Sequence, residues 1–462
     1  MSEPPALSKP VLEPIRSEED FERFLGKFTN YERMKTFRYA GDTWNLERMV
    51  GLARDLGDPQ AAFRSIHIAG TKGKGSTSLM LESLLASSGY SVGTYTSPHI
   101  ESLRERIRSR GAPIAGRDLC SLASSVLPVL EKRHLWGPER FPTFFELMTV
   151  LAMIEFRERR VDWGIFEVGL GGRLDATNIL LPRSTAITSI GLEHTEQLGN
   201  TLESIAGEKA GIVKPGVPVV IGRLPAEAER VIRAVAAERG APVVAAEPFL
   251  VRSEAPGILS VGGFPVGWSS GSIPEGVIRG EALRRDLALA IHLWTGALRE
   301  DGRDPTQDQL LTALERLSLP ARIEMFPGTI PLVVDGAHTR ESVRALREAL
   351  DETSFPRPRV CIFALAADKP APAILAELKD LAAEVFFTRA DTLRGRDPAH
   401  LAQEFREIGG VASAAIEDPV EAFHAARKRM RPLVISGSFY LAGKLRPIVV
   451  RMRETENAAR SR

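Results

Sequence analysis

Ile66-His67-Ile68-Ala69-Gly70-Thr71-Lys72-Gly73-Lys74-Gly75-Ser76-Thr77 reads as an apolar strand running into a glycine-rich turn, with Ser76 and Thr77 opening a helix. Backbone N–H groups of such a turn, together with the helix N-terminus, make a phosphate cradle, and Lys74 supplies the charge that neutralises phosphate. The segment departs from the usual G-x-x-x-x-G-K-[ST] loop: position 68 is Ile where that pattern has Gly, and Gly75 separates Lys74 from Ser76. The chain holds 12 Lys against 48 Arg, so two lysines in one turn, Lys72 and Lys74, stand out. The alternative is a flexible turn with solvated lysines; the flanking strand and helix favour the cradle.

Outward from this loop, short β-branched runs alternate with longer helical patterns. This predicts an α/β fold, a parallel sheet with helices on both faces. Strands are expected at Arg64–Gly70, Ser91–Ser97, Trp163–Gly169, Ser184–Gly191 and Pro218–Gly222, and after residue 320 at Leu332–Ala337, Arg359–Ala366, Glu384–Ala390 and Pro432–Ser438. Helical periodicity covers Thr77–Ser88, Phe144–Arg159, Glu203–Val213, Glu281–Leu298, Gln307–Leu317 and Glu341–Asp351. Phe249–Gly276, rich in Gly, Pro and Ser, reads as a hairpin-rich excursion at the end of the first domain. Ser318-Leu319-Pro320 breaks the pattern, which gives two domains, residues 1–319 and 320–462. The polar end, Arg451 to Arg462, is expected to fray.

At 462 residues, 44% hydrophobic and 26% charged, the composition is that of an ordinary globular protein and excludes wholesale disorder. A formal net charge of +1 leaves no global field for nucleic acid or an anionic membrane, and neither partner is expected. Two cysteines, Cys120 and Cys361, are too few for a disulfide framework and suit a reducing cytoplasm. Met1 to Asp20 lacks the apolar core of a signal peptide, and no apolar run approaches the ~20 residues of a spanning helix.

The variant loop resembles that of the Mur ligase superfamily, ATP-dependent enzymes that form amide bonds. Further segments narrow the resemblance to folylpolyglutamate synthase and dihydrofolate synthase. They are Thr96-Ser97-Pro98-His99, Thr143-Phe144-Phe145-Glu146, Glu167 to Asn178, Glu193 to Gly199, Glu208-Lys209-Ala210-Gly211-Ile212, Asp335-Gly336-Ala337-His338 and Ser436-Gly437-Ser438. The match runs in family order over roughly residues 30–445, and the twelve residues from Glu167 to Asn178 are its most specific part. The resemblance implies an N-terminal P-loop-type ATPase domain and a smaller C-terminal Rossmann-like domain. It also implies ligation of L-glutamate to dihydropteroate, to reduced folates, or to both, through an acyl phosphate.

The same resemblance assigns residues. ATP falls to Thr71, Gly73, Lys74, Gly75, Ser76, Thr77, Arg322 (phosphate) and Asp335 (ribose). Two Mg2+ ions fall to Ser76, Ser97, Glu167, His194 and Lys209, with K+ a further candidate cation. Lys209 is the lysine that the family carbamylates with CO2. On residue type alone it reads as a helix-surface lysine beside Glu208. Thr143, Glu146, Arg173, Leu174, Asp175 and Ala176 resemble positions that hold the pterin or pteroate, although Thr143-x-x-Glu146 is also a capping-box pattern. His338, with Lys74 and Lys209, is a catalytic candidate. His338, Ser436 and Ser438 resemble a glutamate site. A monomer with only small-molecule partners is expected, each domain supplying part of the site.

Three departures from the family pattern stand out. Thr339 follows Asp335-Gly336-Ala337-His338 where Asn is usual, and Glu193 precedes His194 where Asp is usual. The H-Q-x-x-N segment appears as Glu281-Ala282-Leu283-Arg284-Arg285, whose arginine cannot both donate to and accept from adenine as an amide does. Two other readings use the same residues: a Mur-type ligase with another carboxylate acceptor, and a catalytically weak regulatory paralogue.

Overall fold

The computed structural model describes residues 14–34, 46–134, 141–246, 250–255, 258–262, 271–274, 278–391 and 395–460. Two compact units emerge. One takes in residues up to 99, 104–249 and 285–316; the other takes in 100–103, 250–284 and 317–462.

The first unit is built on strands β1 (Arg64–Ala69), β2 (Val92–Tyr95), β3 (Ile107–Ser109), β4 (Ala112–Pro113), β5 (Trp163–Glu167), β6 (Ser184–Ile187), β7 (Val219–Ile221) and β8 (Val243–Ala245). Their spatial order is β4-β3-β2-β5-β1-β6-β7-β8. The run from β2 to β8 is parallel, and β3 and β4 join antiparallel at the edge. β1 is central because its apolar positions are covered on both faces: Ile66, Ile68 and Ala69 are fully buried, as is His67. Continuous apolar runs rather than alternation mark such doubly covered parallel strands.

In the second unit β12 (Glu324–Phe326), β13 (Leu332–Val334), β14 (Val360–Phe363), β15 (Glu384–Phe387), β16 (Ala412–Ala415) and β17 (Leu433–Ser436) take the order β12-β13-β17-β14-β15-β16. Only β12 runs antiparallel to its neighbour. Val334, Val360, Ile362, Ile435, Leu441 and Leu445 are among the residues of its core.

The expected strands all occur, yet most stop two to four residues before the sequence pattern does; Trp163–Gly169, for instance, ends at Glu167. The surplus residues are the extended backbone just beyond the carboxyl edge of each sheet, where the chain leaves its hydrogen-bonding neighbours. The strands β3, β4, β8, β12 and β16, at or next to the sheet edges, escaped the pattern because they are short and largely half-buried or exposed.

Two readings are corrected. Arg451 to Arg460 are helical rather than frayed: one helix runs Phe439–Arg460, and the last two positions lie outside the described residues. Buried Arg453 holds its end by donating to the carbonyls of Ile330 and Phe326 and pairing with Glu456. The excursion after residue 249 forms an antiparallel three-stranded sheet, β9 (Leu250–Ala255), β10 (Ile258–Gly262) and β11 (Gly271–Pro274). It groups with the second unit, whereas its sequence placed it with the first. Phe249, Pro256, Gly257, Gly263, Pro265 and Trp268 to Ser270 lie outside the described residues, as do Met1 to Glu13 of the N-terminal reading.

Candidate functional site

The loop after β1 is tied down before any ligand arrives. Lys72 N–H donates to Ser189 Oγ at 2.8 Å, and Thr188 Oγ1 donates to the Lys72 carbonyl at 2.6 Å. A Cβ on Gly70 would lie 1.9 Å from Thr188 Oγ1, so only glycine allows this approach of β1 to the end of β6. Gly73 has φ +86, and a Cβ there would fall 2.2 Å from Asp286 Oδ1. It is the N-cap of the Lys74–Ser87 helix, whose first turn carries Gly75, Ser76 and Thr77, all buried. Thr77 Oγ1 has no hydrogen-bond partner among the described residues.

Two lysines converge on this loop from different helices. Lys74 Nζ and Lys209 Nζ each donate to the Gly70 carbonyl at 3.0 Å. Lys209, in the Leu202–Ala210 helix, is only 5% exposed, and its neighbour Glu208 pairs instead with Arg173. The surface-lysine reading therefore fails. Burial, then the charge of Lys74, brings the Lys209 amine down to about pKa 7, with Glu193 and Asp175 opposing. Burial alone disfavours an ammonium, and a like charge adds to the penalty.

A cleft is lined by Gly70, Thr71, Lys74, Val168 to Gly171, Glu193, His194 and Lys209. Glu167 ends β5 at its edge. One carboxylate oxygen accepts the Ser97 N–H at 3.1 Å, and the other stands 4.0 Å from Lys74 Nζ. His194 is held at φ +54 as the N-cap of the short Thr195–Leu198 helix. The departure at Glu193 has a use: it pairs with Lys72 at 2.9 Å.

The acceptor candidates are arranged differently. Thr143 and Glu146 form a complete capping box at the start of the Phe144–Glu158 helix. The Glu146 carboxylate also receives Arg48 Nε at 2.7 Å, a partner that sequence patterning missed because it lies far away in the chain. Asp175, 1% exposed, uses both oxygens within its own turn, accepting the N–H groups of Gly169, Leu170 and Thr177. Leu174 is half-buried, and Ala176 begins the Ala176–Ile179 turn. Gly169 backs onto Phe145, whose ring sits 2.5 Å from where a Cβ would be.

On the second unit Asp335 follows β13. Its oxygens accept Ile323 N–H and Ala337 N–H, both at 2.7 Å, and burial pushes its pKa up to about 6. Arg322 donates to the Pro320 carbonyl and lies over the Phe439 ring. His338 Nδ1 is 2.8 Å from the Gly336 carbonyl, which makes that nitrogen the donor. Ser436 Oγ donates to the Ala337 carbonyl, and Ser438 Oγ accepts Tyr440 N–H. Thr339, the departure from Asn, caps the Arg340–Glu352 helix in a capping box with Ser342. Asn and Thr are both good N-caps, so the local structure survives the exchange.

In the Glu281–Arg285 segment, Arg284 is taken by Glu352 at 2.7 Å. The residue that approaches the phosphate loop is the next one, Asp286, against Gly73. Sequence reading stopped one position short of it.

The chain is similar to known proteins over most of its length. Residues 321–439 match the family model of the Mur ligase glutamate ligase domain. The chain is 34% identical over 439 residues to the dihydrofolate synthase/folylpolyglutamate synthase of Bacillus subtilis (strain 168), covering 91% of this chain and 99% of that protein. It is 31% identical over 421 residues to the folylpolyglutamate synthase of Lacticaseibacillus casei, covering 89% and 96%. Among solved structures, Mycobacterium tuberculosis folylpolyglutamate synthase complexed with ADP and AMPPCP is similar with a TM-score of 0.84 at 27% identity, over 95% of this chain and 99% of that one.

Proposed function

The chain belongs to the folylpolyglutamate synthase/dihydrofolate synthase family of ATP-dependent ligases, and we propose that it joins L-glutamate to dihydropteroate, to reduced folates, or to both. An acceptor carboxylate oxygen attacks the γ-phosphorus of ATP, ADP leaves, and an acyl phosphate forms. The glutamate amine then attacks the acyl carbon, loses a proton, and phosphate departs with the oxygen that began on the acceptor. Transfers of this kind depend on positioning and charge neutralisation rather than on a protein nucleophile. The observation that carries the reading is the convergence of Lys74 and Lys209 on the Gly70 carbonyl, beside Glu167.

Lys74 serves the transferred phosphoryl group, and the loop from Thr71 to Thr77 cradles the phosphates. Arg322 and Asp335 serve nucleotide phosphate and ribose, and His338, Ser436 and Ser438 serve the incoming glutamate. Thr143, Glu146 and the turn from Arg173 to Ala176 frame the acceptor, with Asp175 acting through the turn's backbone. Mg2+ takes one or two carboxylates plus phosphate oxygens. Glu167, which turns one oxygen toward Lys74 and accepts the Ser97 N–H with the other, fits that donor set, and the family resemblance adds Ser76, Ser97 and His194 as further contacts. The ion would supply charge for the phosphoryl oxygens. A neutral amine at Lys209 suits attack on CO2, which yields the carbamate and releases one proton.

The protein is proposed to be cytoplasmic and to work as a monomer, and light scattering of the purified chain tests the oligomeric state. Among the described residues no helix is long and apolar enough to cross a membrane. The functional test is ADP release with glutamate and ATP, using dihydropteroate and tetrahydrofolate separately. Acceptor labelled with ¹⁸O in its carboxylate should pass one ¹⁸O into phosphate. ADP release with neither acceptor, or phosphate without label, would overturn the reading.

A further inference from the structure

His67 has no place in the reaction described so far, yet it is the most completely enclosed titratable group near the cleft. It sits in β1 just ahead of Gly70, with 0% exposure. Its Nε2 lies 2.7 Å from Thr177 Oγ1, and Thr177 Oγ1 donates in turn to Asp175 Oδ1 at 2.5 Å. Asp175 Oδ1 also accepts Thr177 N–H at 3.0 Å, while Oδ2 accepts the N–H groups of Gly169 and Leu170 at 3.0 and 2.9 Å. Gly169 and Leu170 line the cleft together with Lys74 and Lys209.

The direction of this relay follows from counting protons. The threonine hydroxyl has one, and the carboxylate takes it. His67 must then donate from Nε2, which leaves Nδ1 without a proton. Nδ1 has no partner among the described residues, and a buried N–H there would be an unpaired donor, the costlier arrangement. Burial, with the charge of Lys214, depresses the ring to about pKa 3 and keeps it neutral. Two pieces distant in sequence, β1 and the Gly169–Ile179 segment, thus hang on one chain of hydrogen bonds.

We propose that His67 is a positioning residue: its Nε2–H, relayed through Thr177 and Asp175, holds the Gly169–Leu170 backbone in register against Lys74 and Lys209. The kinetic consequence rests on the ligase reading of the cleft, whereas the loop's geometry does not. Misplacing a group that lines a reacting centre by about 1 Å costs up to about a hundredfold in rate.

His67→Leu removes the donor at similar bulk; His67→Gln puts an amide donor back near the Nε2 position. Expected for His67→Leu are a kcat lowered by about 10- to 100-fold with KM for ATP unchanged, and faster hydrogen exchange at the Gly169 and Leu170 amides. His67→Gln should recover much of both, and Thr177→Val against Thr177→Ser should repeat the pattern. Unchanged exchange at those amides in His67→Leu would overturn the proposal whatever happens to turnover, as would a His67→Gln no better than His67→Leu. Should His67→Leu fail to fold, ¹⁵N-histidine NMR of the wild-type protein decides. A neutral ring protonated at Nε2 from pH 5 to 8 supports the relay; a ring protonated at Nδ1, or one that titrates in that range, sinks it. If no folate acceptor were turned over, the function would fail while exchange still read the relay.

Discussion

Lys74 and Lys209 share one acceptor: each amine donates to the Gly70 carbonyl at 3.0 Å. Burial disfavours the ammonium form of Lys209, and the neighbouring charge of Lys74 adds to the penalty. That is why Lys209, and not one of the solvent-facing basic residues, is the amine brought down to about pKa 7.

Turnover should therefore depend on pH and on CO2 together. Carbamate formation needs the neutral amine and releases a proton, so activity is expected to rise through about pH 7. Added bicarbonate should move that rise to lower pH. Lys209→Ala should lose turnover, with partial recovery in acetate. A bicarbonate-independent profile together with an active Lys209→Ala would remove the carbamate.

Lys74→Ala should abolish ADP release while circular dichroism stays unchanged, because no core side chain is lost. It also removes the nearest positive charge from Lys209, so the Lys209 amine should titrate at higher pH than in the wild type. ¹³CO2 labelling followed by NMR would read the shift. An unfolded Lys74→Ala would show the lysine to be structural.

Gly73→Ala places a side chain at φ +86, which costs about 1–2 kcal/mol, and drives its Cβ toward Asp286 Oδ1. Asp286→Ala in the same chain should return only the steric part. Calorimetric melting of the two variants separates the terms; equal stability of the single and double variants would show that Asp286 does not close on the loop.

Thr339→Asn should leave stability within about 0.5 kcal/mol, because both residues cap well, whereas Thr339→Ala should cost about 1 kcal/mol. Urea unfolding measures both. A large gain in turnover by Thr339→Asn would mean that the departure touches chemistry and not only the helix end.

The His67 ring is neutral when folded, with a pKa of about 3 against an ordinary 6.5. Between those values the unfolded chain binds the extra proton, so the stability contributed above pH 6.5 is lost as pH falls. His67→Gln lacks that proton. Its stability relative to wild type should shift in its favour by about 1.4 kcal/mol per pH unit across this window. Parallel stability–pH curves for the two proteins would contradict the buried, uncharged ring.

What the sequence determined alone is local. A strand, a glycine turn and a helix at 66–77, and the capping box at Thr143 and Glu146, are written in neighbouring residues because their hydrogen bonds close within a turn. The α/β class followed for the same reason, since periodicity is a property of short windows. Tertiary structure decided the rest. The order β5-β1-β6 sets three strand ends side by side. That brings Glu167, Gly70 and the segment after Ile187 together and buries Lys209 beneath them. Whether a lysine is a surface charge or a reactive amine depends on the solvent it loses and the charges it meets. The same holds for Asp286 against Gly73, Arg48 on Glu146 and the His67 relay: each joins residues far apart in the chain. Their energies come from desolvation and a few ångströms of separation, which spacing along the sequence does not encode.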